Sequence, residues 1–379
     1  MKIVRKKINV QGIVQGVGFR PFIFNLAVSH KLIGFVSNTP QGVIIEVEGT
    51  FDKINQFVDD IKPKAPPIAV ITDINSQQIT PTGVTGFNII KSDRNEKIST
   101  LISPDVAVCD DCLIELFDPN DRRYHYPFIN CTNCGPRYTI IDNIPYDRPY
   151  TSMKHFNMCV DCQAEYDDPT NRRFHAQPNA CPKCGPQVKL FDSEQNLQDV
   201  ENTIEATREK LKKGKIVAIK GLGGFHLAVD ATNNKMVQKL RKLKGRDEKP
   251  FALMVRDIKI AHQYCTILNE EAQVLQSYAA PIMLLKKLLN SHIAESVAPG
   301  NDYLGMMLPY TPLHHVLLQD LDIPLVMTSA NYSEEPICID NNETFERLKS
   351  IADYFLIHNR DIYLRSDDSV AIHLANKTR

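Results

Sequence analysis

The stretch from Cys109 to Cys184 contains four Cys-x-x-Cys pairs, which are Cys109-Asp-Asp-Cys112, Cys131-Thr-Asn-Cys134, Cys159-Val-Asp-Cys162 and Cys181-Pro-Lys-Cys184. In each of two sets, 18 residues separate the first pair from the second, and the second set repeats the first at an offset of 50 residues. Other residues repeat with them: Asp118-Pro119 and Asp168-Pro169, Arg122-Arg123-Tyr124-His125 and Arg172-Arg173-Phe174-His175, Gly135-Pro136 and Gly185-Pro186. The sequence therefore predicts one module present in two copies.

This spacing is typical of structural zinc sites. A Cys-x-x-Cys turn places two thiolates on one side of a tight loop, and two such turns complete a tetrahedron around Zn²⁺ with no position left for water. Thioredoxin-like redox pairs and a disulfide framework are the alternatives. Redox motifs do not occur as two Cys-x-x-Cys pairs within one module, and nothing in the sequence indicates the secretion that a disulfide framework would require. We therefore predict two structural zinc ions held by Cys109, Cys112, Cys131, Cys134, Cys159, Cys162, Cys181 and Cys184. Each ion uses either four consecutive cysteines or an interleaved set, and the equal spacing favours consecutive use.

The composition limits what the rest of the chain can be. At 379 residues with 43% hydrophobic content, the chain is long enough for two or three domains, each with its own core. The 44 basic and 45 acidic residues give a net charge of −1, which provides no global attraction to nucleic acid or membrane. We find no signal peptide or transmembrane segment and expect a protein of the reducing cytoplasm. Cys265 and Cys338, outside the repeats, are expected to be buried free thiols.

Residues 1–91 are predicted to form a small domain. A strand over residues 3–10 is followed by a Gly-rich turn over residues 11–18 and a helix that begins at Pro21. Two strands, a second helix over Phe51–Ile61 and two further strands complete the pattern. The first six of these elements follow the order β-α-β-β-α-β, which is the ferredoxin-like split.

The turn of this domain carries the phrase Gln15-Gly16-Val17-Gly18-Phe19-Arg20. Glycines between a strand and a helix direct backbone N–H groups at an anion where the helix N-terminus also favours one, and Arg20 adds a bidentate guanidinium. The alternative is a tight turn with an exposed arginine. The phrase from Gly12 to Arg20, followed by Gly34-Phe35-Val36-Ser37-Asn38-Thr39 and Gly42, resembles the acylphosphatase signature. The resemblance implies that Arg20 holds an acyl phosphate and that Asn38 orients the attacking water.

The cysteine modules belong to a second predicted domain, residues 92–190. Four arginines in register between the copies would suit nucleic-acid binding, which zinc ribbons often perform: Arg122, Arg123, Arg172 and Arg173. Their acidic neighbours favour ion-paired structural arginines instead. His125 and His175 also occupy equivalent positions in the two copies. Because four cysteines are available for each zinc ion, we expect these histidines to contact the ligands or to lie in the core, and not to bind the metal.

Residues 200–379 alternate between helix and strand patterns, which predicts a twisted, largely covered α/β sheet. The predicted strands are 215–220, 251–255, 282–285, 324–327 and 354–358, with a loop at Gly221–Gly224 and then a helix that ends near Leu243. A basic phrase, Leu240 to Pro250, follows that helix, and a solvated charge run would explain it. Another strand ends in the segment Thr328-Ser329-Ala330-Asn331. Small hydroxyl and amide groups at this position can bind a nucleotide, so we favour a phosphate-binding role for the basic phrase over a solvated charge run.

Two motifs of this region, Lys244-x-Arg246-x-x-Lys249-Pro250 and Ser329-x-Asn331, together resemble the YrdC domain, whose family makes carbamoyl-type adenylates from ATP. The resemblance implies that Lys244, Arg246 and Lys249 hold the triphosphate. It also implies that Ser329 and Asn331 contact the nucleotide.

The order of these parts resembles the HypF family of hydrogenase-maturation carbamoyltransferases, over essentially the whole chain. Three further phrases agree with that family: Arg172-Arg173-Phe174-His175-Ala176-Gln177-Pro178-Asn179-Ala180-Cys181-Pro182, Leu308-Pro309-Tyr310-Thr311-Pro312-Leu313-His314-His315 and Asp367-Asp368-Ser369-Val370. The implied fold class is α+β multidomain, with a ferredoxin-like acylphosphatase domain, tandem zinc-ribbon-like modules and a YrdC-like twisted α/β domain.

The resemblance implies a two-step chemistry. Carbamoyl phosphate is hydrolysed to carbamate and phosphate, and carbamate is coupled to ATP to give carbamoyl-adenylate and pyrophosphate, with Mg²⁺ offsetting phosphate charge. Family members are much longer, and their additional C-terminal domain passes the carbamoyl group to a partner, HypE, on the way to the cyanide ligands of the nickel-iron centre. This chain stops at Arg379. We therefore expect a fragment, or a last domain on a separate chain, and no transfer to HypE by this chain alone.

Two alternatives belong to other functional classes. A tRNA-modification enzyme that makes threonylcarbamoyl-adenylate shares the YrdC-type domain, but it depends on threonine and has no need of an acylphosphatase signature. A zinc-ribbon RNA-binding module is a non-enzymatic interpretation, and the basic face it requires is not evident at a net charge of −1. We expect neither nucleic acid nor a membrane as a partner.

Overall fold

The computed structural model describes residues 3–66, 68–90, 102–375 and 377–379. The chain divides into two compact units, Met1–Asp105 with Asn130–Gly185 and Val106–Ile129 with Pro186–Arg379. The boundary at residues 129 and 130 falls inside the first cysteine module. No helix in the described part of the chain has the length and apolar character needed to cross a membrane.

The first unit begins with a ferredoxin-like domain. Its elements are β1 (Ile3–Ile13), α1 (Phe19–Ser29), β2 (Ile33–Thr39), β3 (Gly42–Thr50), α2 (Phe51–Ile61), β4 (Val70–Ile79) and β5 (Phe87–Ile89). The strands form one sheet in the order β4-β1-β3-β2-β5, in which β2 pairs parallel with β5 and the other neighbours pair antiparallel. The predicted ferredoxin-like fold is confirmed, with α1 beginning at Phe19 instead of Pro21.

The helices of this domain cover the sheet with apolar faces. In α2, Ile54, Phe57 and Ile61 are buried, and their spacing places them on one side of the helix. Each such side chain contributes about 1.5–3 kcal/mol when it leaves water. The packing of α1 on the same core fixes the turn between β1 and α1, which carries the acylphosphatase-like phrase.

Each cysteine module begins with a short helix. Helices α3 (Asp110–Phe117) and α4 (Val160–Asp167) follow Cys109 and Cys159 directly. Three 3₁₀ turns lie between the copies, at Tyr138–Ile140, Arg148–Tyr150 and Ser152–His155.

The two copies share their backbone geometry. His125 and His175 have φ angles of 52° and 53°. Their N–H groups donate to carbonyl oxygens at equivalent positions, to Leu116 at 2.8 Å and to Tyr166 at 3.0 Å. The duplication predicted from the sequence is therefore also a duplication of structure.

The C-terminal part of the second unit is an α/β domain. Its elements are β6 (Val188–Asp192), α5 (Thr203–Lys212), β7 (Val217–Lys220), β8 (Phe225–Asp230), α6 (Asn234–Lys244), β9 (Ala252–Met254), α7 (Ile258–Ala261), β10 (Cys265–Thr266), α8 (Asn269–Leu275), β11 (Ile282–Lys287), a 3₁₀ turn (Glu295–Val297), β12 (Tyr303–Met307), α9 (Pro312–Leu318), β13 (Leu325–Ser329), α10 (Asn341–Leu348), β14 (Tyr354–His358), β15 (Val370–Ala371), β16 (His373–Leu374) and β17 (Lys377–Thr378). A mixed sheet runs in the order β10-β11-β12-β9-β13-β8-β7-β14-β6, with β15 beside β11, and β16 pairs with β17.

Five strands of this sheet lie outside the predicted set, namely β6, β8, β10, β12 and β15, and β8 and β12 are the two of these that have a strand on both sides. Strand β8 follows Gly221–Gly224 directly and pairs with both β7 and β13, whereas the sequence pattern indicated only a helix after that loop. Both strands are short, nearly continuous buried runs. The periodicity of such a run does not distinguish a buried strand from a buried helix.

Cys265 and Cys338 lie in the core of this domain. Their side chains are 1% and 0% exposed, and neither is in a disulfide. Burial raises the pKa of the Cys265 thiol to about 12, so this thiol is protonated and unreactive at neutral pH. The prediction of two buried free thiols is confirmed.

Candidate metal centres and candidate active site

The four sulfur atoms of the second cysteine module lie close together. The Sγ atoms of Cys159 and Cys181 are 3.7 Å apart, those of Cys181 and Cys184 are 3.8 Å apart, and those of Cys162 and Cys184 are 3.6 Å apart. A Zn²⁺ ion bonded to four thiolates at about 2.3 Å requires sulfur–sulfur edges of roughly 3.8 Å. This cluster therefore fits a zinc ion.

The first module brings together the corresponding set. The thiols of Cys109, Cys112, Cys131 and Cys134 lie within 4.8 Å of one another, as do those of the second module. Both clusters consist of four consecutive cysteines, as the equal spacing favoured. Because thiolates would fill every position around each ion, zinc at these sites would hold the fold and offer no open position to a substrate.

Two of the four repeated arginines are part of the core. Arg123 and Arg173 are 1% and 3% exposed. Arg173 donates from Nε to the carbonyl oxygen of Asn130 at 3.1 Å, and its guanidinium lies 4.0 Å from the Glu165 carboxylate. These positions support the structural interpretation, because a buried guanidinium presents no charge to a nucleic acid.

A polar pocket of the first unit, which we call the loop pocket, lies where the β1–α1 turn meets the cysteine region. Its wall includes Gln15, Gly16, Gly18, Arg20 and Asn38 from the ferredoxin-like domain and Thr132, Arg137, Tyr146, His175 and Gln177 from the cysteine region. Gly16 and Gly18 have φ angles of 72° and 73°, which glycine adopts without strain. Gly18 is also the N-cap of α1. The turn and the helix N-terminus together form a site suited to an anion.

Arg20 lies in the first turn of α1 and lines the loop pocket. It is 8% exposed, and its Nη2 lies 2.7 Å from a carboxylate oxygen of Asp147 and 3.5 Å from the carbonyl oxygen of Tyr146. The alternative of a tight turn with an exposed arginine is therefore wrong. The Asp147 carboxylate shows that this guanidinium can receive an oxyanion.

Asn38, on β2, lines the same pocket. It is 1% exposed, and within the described ranges its Oδ1 accepts no hydrogen bond. A buried carbonyl oxygen without a donor is costly unless a water or a ligand supplies one. The position of Asn38 therefore suits the binding of a water molecule beside Arg20.

Sequence reasoning missed Arg137, which is 2% exposed at the loop pocket. Its Nε donates to the carbonyl oxygen of Gly16 at 2.5 Å, and its Nη1 donates to the carbonyl oxygens of Cys134 at 2.6 Å and Gly135 at 2.7 Å. One guanidinium thus ties the Gly-rich turn to the loop of a cysteine pair. A comparison of the two copies could have drawn attention to Arg137, because the second copy has Gln187 at the equivalent position.

A larger pocket of about 400 Å³, which we call the sheet pocket, lies in the second unit. Its wall includes His226, Arg246, Lys249, Phe251, Met327, Thr328, Ser329, Ile337, Asp367 and Asp368. Apolar side chains with a few charged groups are typical of a pocket for a small organic ligand. Three of the five residues that the YrdC resemblance indicated, Arg246, Lys249 and Ser329, line this pocket.

Lys244 is not among the lining residues and is 2% exposed. Its Nζ donates to the carbonyl oxygen of Ser329 at 2.6 Å and to the carbonyl and side-chain oxygens of Asn331, both at 2.5 Å. A solvated charge run is therefore wrong for Lys244, which holds the turn after β13. Burial, together with the positive charges of Arg246 and Lys249, lowers the pKa of Lys244 to about 7.

Sequence reasoning also missed His226 as a pocket residue. Its Nε2 lies 3.0 Å from a carboxylate oxygen of Asp368, which also bonds with Tyr310. Burial is the largest single influence on the pKa of Asp368 and raises it, but the hydrogen bonds with His226 and Tyr310 and the nearby imidazole charges together outweigh burial, so the pKa lies below its ordinary value. The family-like phrases that contain Tyr310 and Asp368 indicated that these residues matter. The contact between Asp368 and His226, which are 142 residues apart in the chain, could not be predicted from the sequence.

The comparisons with known proteins follow the same division of the chain. Residues 6–89 match the family described as Acylphosphatase, and residues 108–141 and 158–191 match the HypF finger. Residues 209–379 match the Sua5, YciO and YrdC family, described as Telomere recombination. An acylphosphatase of Thermotoga petrophila is 42% identical over 84 residues, which are 22% of this chain and 92% of that protein.

Two longer proteins are similar to nearly the entire chain. The carbamoyltransferase HypF of Synechocystis sp. is 48% identical over 371 residues, which are 98% of this chain and 48% of that protein. A crystal structure of full-length HypF in the phosphate- and nucleotide-bound form has a TM-score of 0.96 and 49% identity, and the match covers 100% of this chain and 49% of that chain. The chain thus spans about half the length of these relatives. Because the similarity extends over all its parts, the finger modules included, the chain belongs to the HypF family.

Proposed function

We propose that this chain carries two steps of a hydrogenase-maturation carbamoyltransferase, namely hydrolysis of carbamoyl phosphate in the loop pocket and adenylation of carbamate in the sheet pocket. The observation that carries the proposal is the meeting of Arg20, Asn38 and the Gly16–Gly18 backbone at one pocket. Membership of the HypF family supplies the class of substrate.

In the loop pocket, carbamoyl phosphate places its phosphoryl oxygens at the N–H groups of the turn and at Arg20, where the Asp147 carboxylate now lies. Asn38 Oδ1 accepts a hydrogen bond from a water molecule, and that water attacks phosphorus. The bond from phosphorus to the bridging oxygen breaks, carbamate leaves with that oxygen, and the water proton passes to solvent. Carbamate is a good leaving group, so positioning and charge stabilisation suffice without a strong base.

In the sheet pocket, a carbamate oxygen attacks the α-phosphorus of ATP and displaces pyrophosphate, which leaves carbamoyl-adenylate. Arg246 and Lys249 attract the triphosphate, which enters as its Mg²⁺ complex. Arg246 is oriented by hydrogen bonds to Thr328 Oγ1 at 3.2 Å and to the carbonyl oxygen of Pro250 at 2.6 Å. Ser329 and Asn331, held by Lys244, contact the nucleotide.

The remaining parts of the chain have supporting roles in this proposal. Residues 1–91 act as the acylphosphatase domain, 92–190 as the zinc modules and 200–379 as the ATP-binding domain. The adenylate is an intermediate for transfer of the carbamoyl group to a HypE-like acceptor. Eight cysteine thiols support a cytoplasmic location for the reaction, because a reducing compartment keeps them available for zinc.

The proposal is tested by release of AMP and pyrophosphate from ATP by the purified chain, with and without carbamoyl phosphate. Release that depends on carbamoyl phosphate is the expected result. Release that depends on threonine and bicarbonate would favour a threonylcarbamoyl-adenylate synthase. Hydrolysis of carbamoyl phosphate without ATP cleavage would restrict this chain to the first step.

A further inference from the structure

The two copies of the cysteine module differ in the three residues that follow the shared histidine. The first copy continues Tyr126-Pro127-Phe128, and the second continues Ala176-Gln177-Pro178. In the first copy the aromatic residues fill the core: Tyr126 and Phe128 are 3% and 4% exposed, and Phe128 packs against His358 with ring centroids 5.1 Å apart. In the second copy all three residues line the loop pocket. Two aromatic side chains of the first copy are thus replaced by smaller ones at the wall of the loop pocket.

His175 lines the same wall, and its imidazole lies close enough to Arg20 for the guanidinium charge to act on it. The ring lies next to Phe174 and Tyr166, with centroids 4.7 Å and 4.8 Å away, and these two aromatic rings restrict its orientation. In the described part of the chain, neither nitrogen of the ring takes part in a hydrogen bond. A partly buried imidazole with both nitrogens unengaged beside an anion site is suited to bind a ligand.

The charge state of this imidazole fits such a role. Burial lowers the pKa of His175 to about 4, and the positive charge of Arg20 acts in the same direction. At neutral pH the ring is therefore uncharged, with one N–H donor and one nitrogen acceptor. A neutral ring does not compete with Arg20 for the phosphate. It is also too weak an acid to protonate carbamate, which decomposes to carbon dioxide and ammonia when its nitrogen is protonated.

We propose that His175 is a specificity-determining residue of the loop pocket, where a ring nitrogen accepts a hydrogen bond from the amino group of carbamoyl phosphate. The inference rests on the function proposed above for this pocket. Arg20 and the Gly-rich turn would hold the phosphate of any acyl phosphate equally well. The amino group is what distinguishes carbamoyl phosphate from acetyl phosphate, whose methyl group has no hydrogen to donate.

Gln177 is the other side chain of the second module with an acceptor at this wall, but its acceptor is occupied. Its Oε1 accepts from the backbone N–H of Arg148 at 2.7 Å and from the hydroxyl of Tyr166 at 3.1 Å. Its Nε2 donates to the carbonyl oxygen of His175 at 2.6 Å. Gln177 therefore fixes the backbone of the wall, and His175 supplies the acceptor.

The duplication provides a matched control for the test. His175→Gly and His125→Gly remove the same side chain from equivalent positions with φ near 53° and 52°, where glycine is unstrained. We would measure kcat/KM for carbamoyl phosphate and for acetyl phosphate in the wild type and both variants. His175→Gly should lower the ratio of the two values roughly tenfold, through loss of one hydrogen bond that only carbamoyl phosphate makes. His125→Gly should leave the ratio unchanged. His175→Asn, which tolerates the left-handed backbone and restores an acceptor, should recover part of it.

The outcomes separate this inference from the proposed function. A wild-type chain that hydrolyses no carbamoyl phosphate would contradict the proposed function. Wild-type hydrolysis with an unchanged ratio in His175→Gly, or an equal fall in both glycine variants, would overturn the role of His175. Inhibition by inorganic phosphate reports whether the Arg20 site is intact. If phosphate no longer inhibits His175→Gly, the Arg20 site of that variant is damaged, and His175→Asn becomes the deciding variant. Recovery of the ratio of kcat/KM values in His175→Asn would support the proposal, and failure to recover it would contradict the proposal.

Discussion

The loop pocket and the sheet pocket hold their basic residues in different ways. Arg20 lines the loop pocket and meets an oxyanion, the Asp147 carboxylate, at 2.7 Å. Lys244 is buried, and its ammonium group donates to Ser329 and Asn331 at the turn after β13. The first cation is placed to contact a ligand, and the second is placed to hold the turn that contacts one. A basic residue in a phosphate motif can therefore either bind the ligand directly or hold the backbone that binds it. Substitutions at Arg20 and Lys244 should distinguish these two roles.

Arg20→Ala should have the largest effect. Loss of the guanidinium from the phosphate site should lower kcat/KM for carbamoyl phosphate roughly 1,000-fold, because this group stabilises the charge of the phosphoryl group in transfer. Phosphate release measures the effect. ATP binding, measured by calorimetry, should equal that of the wild type, since Arg20 belongs to the other unit. Hydrolysis above about a tenth of the wild-type rate would show that Arg20 does not hold the substrate.

Lys244→Met should weaken ATP binding roughly 100-fold and lower stability by about 1–3 kcal/mol, because buried carbonyl oxygens lose their donor. Lys249→Met is the control, since Lys249 lines the pocket with an exposed side chain. That variant should bind ATP more weakly without a change in stability. Chemical unfolding and ATP titration measure the two effects, and equal stability of both variants would contradict the holding role of Lys244.

Removal of zinc should lower hydrolysis of carbamoyl phosphate roughly tenfold, because Arg137 links Gly16 of the turn to carbonyl oxygens of the Cys131–Cys134 loop. Phosphate release would be followed with and without chelator, with zinc measured by atomic absorption. Activity should return when zinc is restored, and Arg137→Ala should reduce it in zinc-loaded protein. Full activity after verified loss of zinc would show that the turn keeps its shape without the cysteine loop.

The smallest expected effect is a pH dependence confined to the sheet pocket. The pKa of Lys244 is lowered from its ordinary 10.5 to about 7. As the pH rises through 7, the folded protein loses this charge, and ATP affinity should fall a few-fold between about pH 6 and pH 8. Stability should change in the opposite direction, because between these two pKa values the unfolded chain keeps a proton that the folded chain has released. Both trends should be absent in Lys244→Met, and their persistence there would assign them to another group.

Features with a short-range signature were predictable from the sequence. The zinc ligands occur in pairs three residues apart, and the spacing of a pair alone determines that its thiols share one side of a turn. Arg20 lies within two residues of Gly18, so its position at the turn followed from the phrase. Asn38 was indicated by a family phrase, and its place in the same pocket depends on the pairing of β2 with the sheet.

The remaining site residues depend on contacts between distant parts of the chain. Arg137 reaches Gly16 across 121 residues, and no local pattern marks that contact. The burial of Lys244 was not predictable, because a basic run has the same sequence whether a side chain points to water or inwards. One feature of the loop-pocket wall is visible in the sequence when the two copies are aligned with each other. It is the difference between Tyr126-Pro127-Phe128 and Ala176-Gln177-Pro178.

The placement of the cysteines has a practical consequence for handling the protein. Eight of the ten cysteines belong to the two clusters, and the other two, Cys265 and Cys338, are 1% and 0% exposed. A folded, zinc-loaded molecule therefore offers no free thiol to a colorimetric reagent. Chelation under native conditions should release eight reactive thiols and denaturation all ten. A simple thiol titration thus serves as a stoichiometric gauge of metal content, by which an inactive preparation is recognised as one that has lost its ions.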